Sequence, residues 1–322
     1  MQVIIRPLTD PWFNLAAEEF LLKSVEEDTF MVWRNNDAVV IGKHQNTIRE
    51  INPIFVFEKK IPVIRRISGG GTVYHDPGNL NFTFISTNVK GDLVDFKRYI
   101  LPVIEVLKSF GIPAVMTGRN NIAAGGMKIS GNAEHIYRDR VLHHGTILVS
   151  SPLSRLNSAI RPTRARVDDR AINSVRSRVT KLDSLSDSPI EMQQLIDALQ
   201  GHLAAGATVR ELTTEEVTAI NELAESKYKT WKWNFGYSPP YTYQTILVTP
   251  QNRYEVTLSV RNGLIRECKI DAGKSPEFSP DKLSEVLTGS PHSPFELIPQ
   301  IRKWQKENSV PLSDDDLLKL VF

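Results

Sequence analysis

The sequence predicts an α+β protein, in which a larger region of mixed strands and helices precedes a small α+β domain. Three observations lead to this fold class. Segments with helical spacing of apolar residues and segments with strand-like alternation follow one another along the first two thirds of the chain. A stretch rich in Gly, Pro and Tyr interrupts them at 234–244. A strand pattern, a hairpin signal and further helical segments then follow. We therefore predict domains at 1–241 and 242–322.

The first predicted element is an amphipathic helix. Apolar residues from Phe13 to Leu21 recur at helical spacing and indicate one buried face. The polar residues of the same segment are predicted to face solvent: Asn14, Glu18, Glu19 and Lys23.

The next segments predict the body of the larger domain. Alternation and β-rich composition predict two strands in 30–42 joined by a turn at 35–37, a half-buried strand at 80–84, and a strand at 144–150. Helical periodicity predicts helices at 95–112 with a kink or break at Pro102, at 190–204, and at 214–227 with Thr213 or Thr214 as N-cap.

The small domain is predicted from a hairpin and three helices. Val256, Leu258 and Val260 alternate with polar residues, and the following Asn262-Gly263 pair is typical of a tight hairpin turn. Helical segments then close the chain at about 280–288, 295–307 and 314–321.

Composition narrows the function classes. The net charge of the 322 residues is +2, which gives no global attraction to nucleic acid or to a membrane surface. The single cysteine, Cys268, excludes a disulfide framework and a multi-cysteine metal site. We find no signal-peptide pattern at the start and no run of about 20 apolar residues, so we expect a cytoplasmic protein with neither a nucleic-acid nor a membrane partner.

The segment "RRISGGG" at 65–71 is the first candidate site. It is neither a Walker A loop nor a G-x-G-x-x-G motif. Consecutive backbone N–H groups from Ser68 to Gly71 could nevertheless bind an anion, with Arg65 or Arg66 adding a bidentate contact. A glycine-rich turn between two strands, with solvated arginines, is an equally good interpretation.

Three further motifs are ambiguous when each is taken alone. Lys128 in "GMKISGNA" could point into a cleft and bind phosphate or carboxylate, but a surface lysine on an edge strand is favoured. His143 and His144 lie on opposite faces of a strand, and a core or cleft histidine is favoured over a metal ligand. The arginine-rich segment 161–178 fits a nucleic-acid loop, a loop that closes over an anionic ligand, or a solvated loop.

Nucleophilic catalysis has little support in the sequence. Cys268 is predicted to be a core or edge thiol on a hairpin strand. Ser68 has no evident base partner other than His75.

Taken together, the motifs resemble the lipoate–protein ligases of bacterial type, which carry a C-terminal accessory domain. The likeness covers residues 12–240 and extends more weakly through the tail. The matching segments follow the family's order: "VWRNNDAVVIGKHQN", "RRISGGGTVYHDPGNLNFTF", "GRNNI", "KISGNA", "HHGTILV", "INSVRSRVTKL" and "WKWNFG".

The resemblance implies a fold and an activity. The fold is that of biotin and lipoate ligases and of class II aminoacyl-tRNA synthetases, a mixed β-sheet with flanking helices. The activity is ATP-dependent formation of lipoyl-adenylate with release of pyrophosphate, followed by lipoyl transfer to a lysine of a lipoyl domain. The implied acceptors are the acyltransferase subunits of 2-oxoacid dehydrogenases and the glycine cleavage H protein. Lipoate or octanoate and ATP would be substrates, with Mg²⁺.

The resemblance also implies roles for individual residues. Lys128 would bridge the acyl oxygen and the α-phosphate and stabilise charge, and as a protonated lysine it need not be a nucleophile. Arg66 would meet phosphate, and the arginine-rich segment would fold over the adenylate. The other implied positions are Gly71, Thr72, Val73, Tyr74, Asn120 and Asn121 on the nucleotide side, and Trp33, Gly70, His75 and His144 around the acyl pocket.

One departure from the family pattern concerns a possible metal ligand. Asn121 stands where the family usually has Asp, so that an Mg²⁺ contact would lack the negative charge. This change favours one alternative function, a catalytically silent lipoyl-domain binder. A second alternative, an ATP-independent octanoyl or lipoyl transferase of the same fold, also stays open.

Overall fold

A computed structural model describes residues 1–5, 8–87, 94–160, 165–175, 177–273 and 276–322. The predicted arginine-rich loop lies partly outside these residues, at 161–164 and 176. Two compact units form, the first from Met1–Lys43, Ile64–Leu156 and Val175–Lys229, and the second from His44–Val63, Asn157–Ser174 and Thr230–Phe322. The proposed domain boundary between 241 and 242 stays a prediction.

The secondary structure agrees with most predicted elements. The strands are β1 Gln2–Ile5, β2 Thr29–Trp33, β3 Ala38–Ile41, β4 Val63–Arg65, β5 Val73–His75, β6 Asn79–Thr87, β7 Val115–Thr117, β8 Asn121–Ala124, β9 Met127–Tyr137, β10 Arg140–Leu148, β11 Arg166–Asp169, β12 Thr208–Arg210, β13 Tyr241–Val248, β14 Arg253–Arg261 and β15 Leu264–Ala272. The helices are α1 Pro11–Ser24, α2 Thr47–Glu50, α3 Pro53–Glu58, α4 Phe96–Ser109, α5 Leu153–Ala159, α6 Met192–Leu203, α7 Thr214–Leu223, α8 Pro280–Leu287, α9 Pro294–Glu307 and α10 Asp314–Leu318.

Helix ends follow ordinary capping rules. The Asp10 side chain accepts from two backbone N–H groups of α1, and Thr213 with Glu216 forms a capping box at the start of α7. Helix α4 is not broken at Pro102, which lies inside it. Among the helices of the described residues, none has the length and apolar character that crossing a membrane requires.

The first unit is built on an eight-stranded mixed sheet with the strand order β12-β1-β2-β6-β10-β9-β8-β7. Strand β1 pairs in parallel with β2 and β12, whereas β2, β6, β10, β9, β8 and β7 pair in antiparallel fashion. A three-stranded sheet, β4-β3-β5, carries the glycine run between β4 and β5.

Strand β6 is buried on both faces, so the predicted half-buried strand is wrong in this respect. Phe82 belongs to an apolar core with residues of α4 and α6, and Phe84 packs against that core. Thr83, which points the opposite way, is also fully buried and bonds to Glu18 of α1. Helices therefore cover both faces of the sheet at this strand.

The second unit contains the antiparallel sheet β11-β13-β14-β15. The predicted hairpin turn is confirmed, because Asn262 and Gly263 both have positive φ, 53° and 71°, as a type I′ turn requires. Strand β11 lies inside the arginine-rich segment, for which a loop was expected.

Candidate active site

The glycine run forms a loop whose carbonyl groups are held by Arg66. The Arg66 Nη2 donates to the Gly69 carbonyl at 2.5 Å and to the Gly71 carbonyl at 2.8 Å, and its Nε donates to Ser68 Oγ at 3.0 Å. Gly70 has a φ of +86°, and a Cβ there would lie 3.0 Å from Arg66 Nη2. Only glycine fits this conformation without strain, which explains part of the run.

Both arginines are buried and bonded to backbone. Arg65 is fully buried and its Nη1 donates to the carbonyls of Gly42 and Lys43. Burial lowers the pKa of Arg66 to about 10, although the negative charge of Glu18 acts in the opposite direction. In this structure the Arg66 guanidinium therefore shapes the loop, and its contact with a phosphate stays a prediction.

Lys128 lies at the start of β9, beside the C-terminal end of the arginine-rich segment. Its backbone N–H donates to the Arg178 carbonyl at 2.8 Å, and its carbonyl accepts from the Thr180 N–H at 3.0 Å. A Cβ on Gly131 would lie 2.8 Å from Lys128 Nζ and 3.9 Å from Asn121 Oδ1. The ammonium and the Asn121 amide oxygen thus share the space over Gly131.

The charge state of Lys128 depends on this environment. Burial lowers its pKa below 10.5, and the nearby positive charge of Arg66 lowers it further. An anionic ligand beside Nζ would act in the opposite direction and favour the ammonium form.

The two asparagines of "GRNNI" differ in their contacts. Asn120 Nδ2 donates to the Asn132 carbonyl at 2.5 Å, and the Asn120 carbonyl accepts from the Asn132 N–H at 3.0 Å. Asn121 is half-buried and offers one neutral oxygen. Among the residues that the structure describes, no three His, Cys, Asp or Glu side chains are placed to hold a metal ion. The contact between Asn121 and Mg²⁺ stays a prediction.

The predicted acyl-pocket side chains lie close together. Trp33 Nε1 donates to Thr83 Oγ1 at 2.9 Å, and the rings of Trp33 and His75 meet edge to face with centroids 5.8 Å apart. Burial, and then the positive charge of Arg66, lower the pKa of His75 to about 3, so His75 is neutral. His75 Nδ1 bonds to Asn35, whereas its Nε2 has no hydrogen-bond partner among the described residues.

The predicted nucleotide-side residues belong to the end of the loop and the start of β5. Gly71, Thr72 and Val73 are half-buried and Gly70 is exposed, so a ligand can reach this backbone. The Tyr74 side chain is buried. Any nucleotide contact of Tyr74 would therefore come from its backbone.

A family model described as the lipoyl protein ligase A/B catalytic domain matches residues 10–204. The chain belongs to the lipoate–protein ligase family. Lipoate–protein ligase 1 of Staphylococcus aureus is 36% identical over 267 residues, which cover 82% of this chain and 81% of that protein.

Solved structures of the family support the same conclusion about the fold. P. falciparum LipL1, determined in complex with lipoate, is 26% identical, has a TM-score of 0.63, and covers 99% of this chain and 98% of its own. A lipoate–protein ligase A structure with bound ATP is 24% identical, has a TM-score of 0.63, and covers 74% of this chain and 100% of its own. The predicted fold class, a lipoate ligase-like mixed sheet with helices and a C-terminal domain, is confirmed.

Sequence analysis of this ligase family member missed a buried polar chain beside the loop. Ser68 Oγ lies 2.6 Å from His144 Nε2, and His144 Nδ1 lies 2.9 Å from the Glu18 carboxylate. The histidine beside Ser68 is therefore His144, and not His75, which was the only evident candidate in the sequence. The solvent-facing positions expected for Asn14, Glu18 and Glu19 are wrong, since these residues are 0%, 1% and 3% exposed. Sequence spacing gave no signal for a contact between residues so distant in the chain.

The other histidine of the pair serves the opposite face of the sheet. His143 is buried against Phe82 and Tyr99, and its Nδ1 lies 2.9 Å from Glu134 Oε1. This confirms that the two histidines point to opposite faces, and that His143 is a core residue.

Proposed function

We propose that this protein activates lipoate with ATP to lipoyl-adenylate and then transfers the lipoyl group to a lysine of a lipoyl domain. Family membership supports the reaction class. One observation supports the assignment of the site: Lys128 Nζ and Asn121 Oδ1 lie 2.8 Å and 3.9 Å from the position that a Cβ on Gly131 would take. The lipoate in the P. falciparum relative and the ATP in the ligase A structure are consistent with the two substrates.

In the first step a carboxylate oxygen of lipoate attacks the α-phosphorus of ATP, and pyrophosphate leaves. In this step the negatively charged carboxylate must approach the negatively charged phosphate. A single ammonium between the two oxygens lowers the cost of that approach. Lys128 fits this role because its Nζ lies beside Gly131, where the residue has no side chain of its own to fill the space.

In the second step the deprotonated ε-amine of the acceptor lysine attacks the acyl carbon, an amide bond forms, and AMP leaves. The carbonyl oxygen gains negative charge as the amine adds. The Nε2 of His75, which has no hydrogen-bond partner within the described part of the chain, is a candidate donor to this oxygen, alongside Lys128. The acceptors that we propose are lipoyl domains of 2-oxoacid dehydrogenase acyltransferase subunits and the glycine cleavage H protein, and the proposed location is the cytoplasm.

The transferase alternative would need a reactive cysteine. Burial raises the pKa of Cys268, the only cysteine of the chain, although a hydrogen bond with Ser284 partly opposes the shift. A thiol with a raised pKa is a poor nucleophile at neutral pH. The silent-binder alternative is favoured only by the replacement of the usual Asp by Asn121.

The first test is adenylate formation by Lys128→Ala. Purified wild type, incubated with ATP, Mg²⁺ and lipoate, should form lipoyl-adenylate that chromatography separates from ATP. Lys128→Ala should form it more slowly by a factor on the order of 10²–10³, as for the loss of one charge-stabilising donor. Lys108→Ala, which removes an exposed lysine of α4, is the matched control and should behave as wild type. Near-normal adenylate formation by Lys128→Ala would refute the role of Lys128.

A further inference from the structure

Helix α1 turns two polar side chains toward the sheet instead of toward solvent. Asn14 and Glu18 are one helical turn apart and are 0% and 1% exposed. A buried amide and a buried carboxylate are costly unless they are fully hydrogen-bonded. The hydrogen-bond partners of Asn14 and Glu18 indicate which residues these two buried side chains orient.

The Glu18 carboxylate fixes the orientation of His144. An ionised carboxylate can only accept, so the proton of His144 lies on Nδ1, 2.9 Å from Glu18 Oε1. The Nε of Arg66 can only donate, so Ser68 Oγ accepts from it, which leaves the hydroxyl proton of Ser68 available for His144 Nε2 at 2.6 Å. His144 completes a directed chain of hydrogen bonds from Arg66 in the glycine loop to Glu18.

The same carboxylate orients Trp33. The indole N–H of Trp33 can only donate, so Thr83 Oγ1 accepts from it at 2.9 Å and donates to Glu18 Oε1 at 2.6 Å. Glu18 therefore supports two of the predicted acyl-pocket residues at once.

Asn14 fixes the third pocket residue, His75. Its side chain lies 2.9 Å from the Arg34 carbonyl and 3.3 Å from the Leu8 carbonyl, which only accept, so this atom is the amide nitrogen. Asn35 must then present its oxygen to Asn14 and its nitrogen to His75 Nδ1, at 2.9 Å and 3.0 Å. Neutral His75 consequently carries its proton on Nε2, which has no partner among the described residues.

We propose that Asn14 and Glu18 are positioning residues that assign opposite tautomers to the two histidines of the site. His75 keeps a free Nε2–H that can donate to an acyl oxygen. His144, protonated on Nδ1, holds Ser68 and through it the glycine loop. The chemical identity of the ligand rests on the proposed function, whereas the assignment of the tautomers does not.

The test is long-range ¹H–¹⁵N NMR of the full chain, labelled with [¹⁵N]histidine and free of ligand. The His75→Gln and His144→Gln variants identify the two sets of signals. Wild type should show His144 protonated on Nδ1 and His75 protonated on Nε2. In the wild-type protein, a proton on Nε2 of His144, or on Nδ1 of His75, would overturn the proposal.

Two substitutions should separate the effect of Glu18 on His144 from the effect of Asn14 on His75. Glu18→Gln offers both a donor and an acceptor, so His144 should lose its single tautomer while His75 keeps its own. Asn14→Leu should release His75 and leave His144 unchanged. Glu19→Gln is the matched control, since Glu19 is buried in the same helix but bonds to Lys23, Lys227 and Tyr228. It should change neither histidine.

Activity provides an independent readout. Glu18→Gln should lower kcat/KM for the carboxylic acid by about 10- to 100-fold, as expected when a hydrogen bond to a charged group is lost. Unchanged histidine signals in Glu18→Gln would overturn the positioning role. If wild type forms no lipoyl-adenylate but both tautomers are as stated, the proposed function fails and the positioning of the histidines stands. If adenylate forms and the tautomers differ, the positioning proposal fails alone.

Discussion

Glu134, a buried acid on the face of the sheet opposite to His144, should keep its proton up to a pH of about 7. Asn132 Nδ2 bonds to the Asn120 carbonyl at 3.1 Å, so its Oδ1 is the acceptor that faces His143 Nε2 at 3.3 Å. His143 then carries its proton on Nε2 and accepts at Nδ1, which requires a proton on Glu134 Oε1. Burial, and then the charge of Asp95, raise the pKa of Glu134 to about 7, and burial lowers the pKa of His143 well below its usual value.

The raised pKa of Glu134 makes stability fall as pH rises. Its pKa is 4.5 when it is free and about 7 in the folded protein, so between these values the folded state binds more protons than the unfolded state. The free energy of unfolding therefore decreases through this window. At 1.36 kcal/mol per pKa unit, the loss amounts to at most ~3 kcal/mol once the pH exceeds about 7.

Glu134→Gln mimics the protonated acid, because the amide N–H can donate to His143 Nδ1. Urea unfolding of wild type and variant should give similar free energies near pH 5, and the variant should be the more stable near pH 8 by up to ~3 kcal/mol. Glu105→Gln is the control, since Glu105 pairs with His202 at 3.0 Å on the surface and should contribute at most ~1 kcal/mol. A difference between wild type and Glu134→Gln that does not change with pH would refute the protonated acid.

Three further predictions concern the glycines and the lysine of the site. Gly145→Ala would place a Cβ 2.1 Å from Asn132 Oδ1 and 2.4 Å from Phe82 Cζ. Urea unfolding should therefore show a loss of ~1–3 kcal/mol in the free energy of unfolding. A variant as stable as wild type would contradict this packing. In Gly131→Ala the added Cβ would lie 2.8 Å from Nζ, the flexible end of Lys128. The rate of adenylate formation should therefore fall by about tenfold or more, while the thermal unfolding temperature changes little. An unchanged rate would contradict the placement of Nζ. A non-hydrolysable lipoyl-adenylate analogue should bind more weakly as the pH rises through the lowered pKa of Lys128. In that pH range binding should be coupled to proton uptake, because the anionic ligand favours the ammonium form of Lys128. Calorimetry in two buffers of different ionisation enthalpy would detect the proton uptake, and its absence would contradict the contact between Lys128 and the ligand.

The fold was largely predictable because its elements carry local signals. The spacing from Phe13 to Leu21 predicted α1, and Asn262-Gly263 predicted the turn between β14 and β15. These patterns depend on neighbours within a few residues, where helix and turn geometry acts. The burial of a side chain could not be predicted in this way, because it depends on elements that are distant in the sequence. The polar side of β6 is covered by α1, which the alternation in "LNFTF" could not reveal.

The site was predictable in composition but not in its contacts. Family motifs brought Lys128, Asn121 and the glycine run to attention, and the structure brings the first two together over Gly131. Glu18 was misjudged because a carboxylate on a helix normally faces water. Its burial is explained only by His144 and Thr83, two residues that the sequence places more than 60 positions away.

The most direct test of the central claim uses a complete reaction. The purified protein is incubated with ATP, Mg²⁺, lipoate and an unmodified glycine cleavage H protein, and the H protein is weighed by mass spectrometry. We predict the gain of one lipoyl group, only when ATP is present. If the H protein gains no mass even when lipoyl-adenylate is supplied ready-made, the proposed ligase activity on this acceptor is contradicted. If it gains a lipoyl group only with ready-made adenylate, activation of lipoate by ATP is contradicted, and the replacement of the usual Asp by Asn121 would explain the defect.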